Sequence, residues 1–348
     1  MTKRNLDLWV TLSPSMAHYK RFAQDERLGA IRINSAMMFA EEMEGELSTA
    51  LSVPNSVPTY FDLKGRQLRI RAARKHDSYY ELELNHPISV DTPTSVLFKG
   101  GTQEAMLFKI EPGKEPNDPQ RLIVVPDGRL DILIPGESLV IRDDSFKVLG
   151  KFFPDYEIER IKLVASRGWT KYVLSYVESQ RDIDMFREYV GNDVEVVAKI
   201  ESRKGLEWVA RGFKPQDNLR LMTARGDLYI EVPKPHEMLE AQRLIVEKDP
   251  HAVVGSRILL TCCKGPVPEA NDFSELAWLY DIGYRTMMLC DDLCIDETLL
   301  ARAINVFDAF RSNYADKRHA LLSATPSVPA APPSKSSLVS MLRAVIGR

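Results

Sequence analysis

Val196-Val197-Ala198-Lys199-Ile200-Glu201 is followed, some two dozen residues on, by Thr223-Ala224-Arg225-Gly226-Asp227-Leu228-Tyr229-Ile230-Glu231-Val232-Pro233, and the fold turns on how these two pieces are read. The first reads as a short apolar strand that delivers Lys199 and Glu201 at its C-terminal end. Those two residues stand at i and i+2, so a strand that persists to Glu201 places both side chains on one face. The second follows a strand-like run through Leu219-Arg220-Leu221 and closes on the turn Arg225-Gly226-Asp227. Two carboxylates on neighbouring strand ends, with a lysine beside them, suit a divalent cation set against an anionic substrate. Magnesium takes oxygen ligands and often only one or two protein carboxylates, water and substrate supplying the rest. Residue chemistry alone equally admits an exposed Lys199–Glu201 ion pair, with Asp227 capping a helix.

Working outward, strands and helices alternate. Leu8–Leu12 reads as a strand, Met16–Leu28 as a helix and Ala30–Asn34 as a strand ending in Arg32 and Asn34, again at i and i+2. A helix over Ala36–Leu51 and a strand over Thr59–Leu63 follow, the latter running into Lys64-Gly65. From Arg66 to about Val148 the helical period vanishes. Short alternating runs (Tyr79–Leu84, Ser95–Phe98, Ala105–Ile110, Leu122–Val125, Leu139–Ile141) are separated by Gly- and Pro-bearing turns, which predicts an inserted antiparallel β domain.

Alternation resumes with helices over Tyr156–Arg167, Arg181–Val190, Arg203–Gly212, Pro235–Glu247, Ser274–Ile282 and Asp296–Phe310. Further strands are expected at Tyr172–Val177, Arg257–Thr261 and Thr286–Cys290. Eight parallel strands with helices between them make an α/β (β/α)8 TIM barrel, whose site belongs at the C-terminal strand ends. The domains are then 1–65 (barrel), 66–149 (inserted β-barrel lid), 150–315 (barrel), 316–336 (Ala/Pro/Ser-rich linker) and 337–348. In the last segment Leu338, Met341, Leu342, Val345 and Ile346 form an apolar stripe, an amphipathic C-terminal helix. Docking on its own barrel, disorder, and docking on a protein partner or compartment shell are all open for it.

Composition narrows the function classes. In 348 residues a formal net charge of −3 gives no basic footprint for nucleic acid. No run approaches the roughly 18 apolar residues a membrane span requires. The N-terminus carries no apolar signal run, so the expectation is a cytoplasmic protein without membrane contact. Cys262, Cys263, Cys290 and Cys294 fall late in a large chain with no histidine near them in sequence, which favours small residues at strand ends over a disulfide framework or metal site.

The spacing and wording of several pieces resemble the pyruvate kinase family. They are Lys199-Ile200-Glu201, Ala224-Arg225-Gly226-Asp227-Leu228 with Glu231-Val232-Pro233, Gln242, a strand ending in Thr261, and the Ser274–Gly283 helix. Upstream, Thr11-Leu12-Ser13-Pro14-Ser15, Arg32-Ile33-Asn34 and Asp62-Leu63-Lys64-Gly65 fall in the family's order, so the likeness runs over roughly residues 6 to 315. It implies a glycolytic transferase, a kinase joining phosphoenolpyruvate and ADP to give pyruvate and ATP with magnesium or manganese, under a mobile β lid.

The resemblance also implies roles. Arg32 and Arg69 would hold phosphate oxygens, Lys199 would neutralise the transferring phosphoryl group and the enolate, and Glu201 with Asp227 would bind the metal. The backbone of Ala224, Arg225 and Gly226 would hold the substrate carboxylate, Thr261 would serve the proton relay, and Asn34 with Asp62 would form a monovalent-cation site. Departures cluster on the nucleotide and potassium half. Ser35-Ala36-Met37-Met38 stands where the family has Phe-Ser-His-Gly, and Leu63 replaces a threonine. Gly65-Arg66-Gln67 replaces Gly-Pro-Glu, and Cys290-Asp291-Asp292-Leu293 replaces Ser-Gly-Glu-Thr. The family's C-terminal regulatory domain has no counterpart. The expectation is a potassium-independent enzyme in which Arg66 supplies the missing charge. The alternatives are a metal-dependent lyase or aldolase working through a pyruvate enolate, and a non-catalytic enolpyruvate-binding or cargo protein.

Overall fold

The computed structural model describes residues 4–38, 41–54, 56–113, 119–128, 130–232 and 234–324. Strands β1 (Asp7–Thr11), β2 (Ala30–Asn34) and β3 (Thr59–Leu63) open the barrel, joined through α1 (Tyr19–Ala23) and α2 (Met43–Ser52). Eight lid strands intervene: β4 (Ile70–Lys75), β5 (Tyr80–Leu84), β6 (Ile88–Ser89), β7 (Thr94–Phe98), β8 (Gln103–Glu111), β9 (Arg121–Pro126), β10 (Leu139–Ile141) and β11 (Lys147–Val148). The barrel then continues through α3 (Asp155–Ser166), β12 (Lys171–Leu174), α4 (Gln180–Val190), β13 (Glu195–Ile200), α5 (Arg203–Arg211), β14 (Leu219–Ala224), α6 (Arg225–Glu231), α7 (Glu237–Lys248), β15 (Val253–Gly255), α8 (Ala270–Asp281), β16 (Thr286–Met288), α9 (Asp291–Cys294), α10 (Glu297–Phe310) and α11 (Asp316–Ala324).

Strand pairing closes in the order β1-β16-β15-β14-β13-β12-β3-β2, all parallel. Alternation along the strands divides the side chains. Odd positions of β1 and β13 and even positions of β2 and β3 point inward, where Trp9, Ala30, Tyr60, Val173, Val197, Met222, Val253 and Met288 form one apolar layer. Trp9 and Tyr60 stack within it at 4.5 Å between ring centroids. Two residues further along the same strands come Arg32, Asp62, Ser175, Lys199, Ala224 and Gly255. The inward layer therefore turns from apolar to charged at the C-terminal mouth. The intervening positions, Leu8, Ile31, Phe61, Leu174, Ala198 and Leu221, face outward into the helices and are buried there.

The lid is an antiparallel six-stranded sheet ordered β10-β7-β8-β9-β5-β4, with β6 and β11 as a separate pair. Its two edges meet through a bridge between Arg69 and Ser138 and the Ile70 N–H to Glu137 carbonyl bond of 2.9 Å, so the sheet rolls around its own core of Leu82, Val96, Leu107 and Val124. The expected inserted β-barrel is present.

Five sequence expectations are corrected. The seventh barrel strand is β15, not Arg257–Thr261. The chain leaves the barrel after Gly255, Arg257 and Leu259 adopt left-handed φ of 59° and 55°, and Leu260–Cys263 form a short 3₁₀ turn. Ile258 and Leu259 are fully buried in the outer core, which explains their apolar, strand-like wording. The helix expected over Met16–Leu28 contracts to α1, and that over Ala36–Leu51 begins only at Met43, after a 3₁₀ turn at Ser35–Met37. Asp227 lies in the first turn of helix α6 rather than at a strand end. The expected linker does not start at 316: α11 continues the helical chain to Ala324, anchored by Arg318 on Asp281 (2.6 Å) and Asn5 on Asp316 (3.3 Å). The stripe at 337–348 lies outside the described residues. No described helix is long and apolar enough to cross a membrane.

Candidate active site

A cavity of about 530 Å³ opens at the C-terminal mouth of the barrel beneath the lid. Arg32, Lys64, Arg69, Lys199 and Arg257 face Glu201, Asp227, Asp291 and Asp292 across it, and Ala224, Gly226 and Ser256 complete the wall. Thr102 reaches in from the lid. The lid tip rests on the barrel, with Arg257 donating to the Gly100 carbonyl (3.4 Å) and Gly101 against Ile230 of α6.

The central group is Lys199. Its Nζ lies 2.8 Å from Glu201 Oε1 and donates to Ser175 Oγ at 2.9 Å. Burial alone would lower the ammonium pKa, but Asp62 and Glu201 outweigh it and hold it above the ordinary lysine value. Glu201 is almost wholly buried, and its second oxygen accepts the Tyr176 N–H (2.8 Å). Burial pushes its pKa up to about 7; Lys199 draws it back and Asp227 adds to the rise. Asp227 Oδ2 accepts from Gln67 Nε2 at 3.0 Å, and Gln67 Oε1 in turn accepts from Arg69. One turn along α6, burial and then Asp227 push Glu231 up to about 8.

This surplus of negative charge around Glu201 and Asp227 fits a divalent cation. The donors are hard carboxylate oxygens on two different elements, and the charge of Asp227 helps raise Glu201, which a cation would relieve. Among the described residues no cluster of three or more His, Cys, Asp or Glu is arranged for a metal. Cys262, Cys263, Cys290 and Cys294 are free thiols.

A second charged group surrounds Asp62, which is fully buried. Arg32 grips its Oδ2 through Nε (2.7 Å) and Nη2 (2.5 Å), and Lys64 Nζ lies 2.8 Å from the same oxygen. Burial would raise the Asp62 carboxyl, yet Arg32, Lys199 and Lys64 hold it far below the usual carboxylate range. Burial pushes Lys64 down to about 7 against the pull of Asp62. The turn after β3 is fixed from behind by Glu157, whose carboxylate accepts the Lys64 and Gly65 N–H groups. Gly65 has φ of 51°, and a Cβ there would meet Phe152 and the Ser175 carbonyl at 2.7 Å, so only glycine fits.

The structure thus brings together Arg32, Asn34, Asp62, Arg69, Lys199, Glu201, Ala224, Gly226 and Asp227, as the sequence suggested. Three residues go elsewhere. Thr261 turns its hydroxyl to the N-terminus of α8, donating to Asp272 and accepting the Glu269 N–H (2.9 Å). Arg66 leaves the cavity to pair with Asp182 (2.7 Å) and cover the Phe152 ring. The Arg225 side chain pairs with Glu275. Sequence reasoning missed Ser256, which follows β15 directly, and Asp291. The signal for Ser256 was Val-Val-Gly-Ser, a short apolar strand just upstream of the more conspicuous apolar run. Asp291 carries no motif, and only its contacts with Arg32 and Asn34 reveal it.

A larger open cleft of about 1280 Å³ shares Lys64 and Arg69 with this cavity and runs along the other flank of the lid neck, past Ala36, Met38, Arg71, Lys151 and Arg160.

The family model described as "Pyruvate kinase, barrel domain" matches residues 154–278. The pyruvate kinase of Methanocaldococcus jannaschii is 22% identical over 335 residues, which is 90% of this chain and 72% of that protein. That of Thermoplasma acidophilum is 24% identical over 294 residues, covering 77% of this chain and 50% of the relative. The Thermotoga maritima enzyme is 28% identical over 130 residues, 35% of this chain and 27% of its own. The chain therefore spans only half, or less, of the second and third of these relatives.

Proposed function

The chain belongs to the pyruvate kinase family, and from that premise we propose that its barrel-mouth cavity transfers a phosphoryl group from phosphoenolpyruvate to a nucleoside diphosphate. The carrying observation is the buried Lys199–Glu201 pair at 2.8 Å with Asp227 beside it. In the transfer the bond from phosphorus to the enol oxygen breaks and one to the terminal oxygen of the diphosphate forms. The enolate then takes a proton at its methylene carbon to become pyruvate.

Each wall of the cavity has a task in this reading. Lys199 sets a fixed positive charge beside the enol oxygen and the phosphoryl group as charge spreads over them. Glu201 and Asp227 would hold a divalent cation, which when bound neutralises phosphoryl and carboxylate charge. The backbone of Ala224, Arg225 and Gly226 receives the substrate carboxylate, and Arg32 and Arg69 take phosphoryl oxygens. Ser256 Oγ, at the end of β15, takes the proton-relay place expected of Thr261. The diphosphate enters by the larger cleft, whose Arg71, Lys151 and Arg160 suit its charge. The lid tip, resting on α6, excludes water from the transferring group.

Potassium independence is part of the proposal, with a different residue in the role assigned from sequence. Lys64 Nζ, rather than Arg66, sits 2.8 Å from Asp62, and Asn34 is committed to Asp291. In this reading the Lys64 side chain takes the part of a monovalent cation beside Asp62.

A second reading, an enolate-forming lyase acting on an unphosphorylated 2-oxo acid, is favoured by one observation: Arg32 already carries two carboxylates, Asp62 and Asp291.

The test of the first reading is Lys199→Met. Loss of the ammonium should lower kcat for pyruvate formation about 10²–10³-fold while manganese binding persists. A variant that turns over as fast as the wild type would overturn the assignment.

A further inference from the structure

Four of the five N–H donors of Arg32 are engaged. Nε and Nη2 hold Asp62, while Nη1 donates to Thr11 Oγ1 (3.1 Å) and to Asp291 Oδ1 (3.0 Å). The other oxygen of Asp291 accepts from Asn34 Nδ2, also at 3.0 Å. One carboxylate therefore spans a guanidinium and an amide in the way two oxygens of a phosphoryl group would. Asp291 reaches this position from the loop after β16, at the start of the four-residue α9, so its carboxylate is held mainly by these two contacts.

The two carboxylates on Arg32 are not equivalent. The Asp62 side chain is 0% exposed and also holds Lys64, whereas the Asp291 side chain is 37% exposed and borders the cavity. Asp62 is a fixed part of the wall. Asp291 is the one of the two with a path into solvent, its side chain being 37% exposed, while the Arg32 it would leave stays buried.

Resting on the phosphoryl-transfer reading above, we infer that Asp291 occupies the anion seat of Arg32 and Asn34, and that a phosphoryl group must displace it to bind. Asp291 is then a specificity-determining residue. It lowers affinity for phosphorylated ligands, first by holding the seat and then, once displaced, by leaving a like charge beside the phosphoryl oxygens. Ligands that use only the Glu201–Asp227 side of the cavity are indifferent to it.

The experiment is calorimetric titration of the full chain with phosphoenolpyruvate and, separately, with oxalate, each with magnesium, using wild type, Asp291→Asn and Asp291→Ala. The first substitution keeps the shape and removes the charge; the second removes both, and a thermal melt checks the fold of each. Phosphoenolpyruvate should bind about tenfold more tightly to both variants, a change of about 1.4 kcal/mol, with oxalate affinity unchanged. If oxalate binds all three proteins alike and phosphoenolpyruvate affinity is unaltered or weaker in the variants, the inference is wrong while the reading of the site stands. If neither ligand binds any of the three, the reading falls and takes the inference with it.

Discussion

At the scale of single residues, burial tunes the ionisable groups and makes them testable. Glu157 is fully buried, and burial pushes its carboxyl from an ordinary 4.5 up to about 7 despite the two N–H groups it accepts and nearby Lys64 and Arg160. Its folded pKa therefore exceeds its unfolded one. The folded state holds the proton more tightly, so the associated stability is fully present below about pH 4.5 and is lost as pH rises through about 7. The loss is on the order of 3 kcal/mol. Glu157→Gln cannot ionise and should not suffer it. Denaturant melts of variant and wild type should diverge in the variant's favour by roughly that amount between about pH 4.5 and about pH 7.5. Parallel pH profiles would show that Glu157 does not titrate in this window.

At the scale of elements, legibility followed length and side-chain parity. β2 and β3 were read to the residue because alternation is visible in a strand of ordinary length, whereas β13 stops at Ile200, one residue short of Glu201, although Lys199 and Glu201 still meet at 2.8 Å. β15 has only three residues, too few to show a period, and the apolar Arg257–Thr261 run beside it looked more strand-like. Its apolar side chains serve the outer core through a left-handed turn that sequence pattern does not display. The lid pair β6 and β11, two residues each, was missed for the same reason. Contacts made across the barrel, such as Lys64 on Asp62, Asp291 on Arg32 and Arg66 on Asp182, depend on loop geometry and so lay beyond the sequence. The shift from Thr261 to Ser256 can be separated experimentally. Ser256→Ala should lower kcat about 10²-fold with little change in melting. Thr261→Ala should leave kcat alone and cost about 1 kcal/mol by removing the hydroxyl's bond to Asp272 and its share of the Glu269 N–H, which Asp272 also accepts (3.1 Å). The opposite pattern would restore Thr261 to the site.

At the scale of the whole molecule, the barrel supplies a rigid ring of strand ends and the lid supplies closure. Arg203 on Asp144 (2.8 Å), Arg257 on Gly100 and the Gly101–Ile230 contact tie the lid to the barrel on the side of α5 and α6. The larger cleft stays open on the other flank, so the two halves of the proposed reaction reach the site from different sides of the lid neck. Of the residues the family resemblance implies, Lys199, Glu201 and Asp227 gather at the cavity while Thr261 does not. The nucleotide half is rebuilt around Lys64, Asn34 and Asp291. The central claim is that this rebuilt site still transfers a phosphoryl group, and does so without potassium. It is tested most directly by coupling pyruvate formation to lactate dehydrogenase with phosphoenolpyruvate, ADP and magnesium, with and without potassium. Pyruvate should appear only when ADP is present, at the same rate in either salt. Absence of ADP-dependent pyruvate, with oxalate still binding in the presence of magnesium, would contradict the claim and turn attention to unphosphorylated 2-oxo acids.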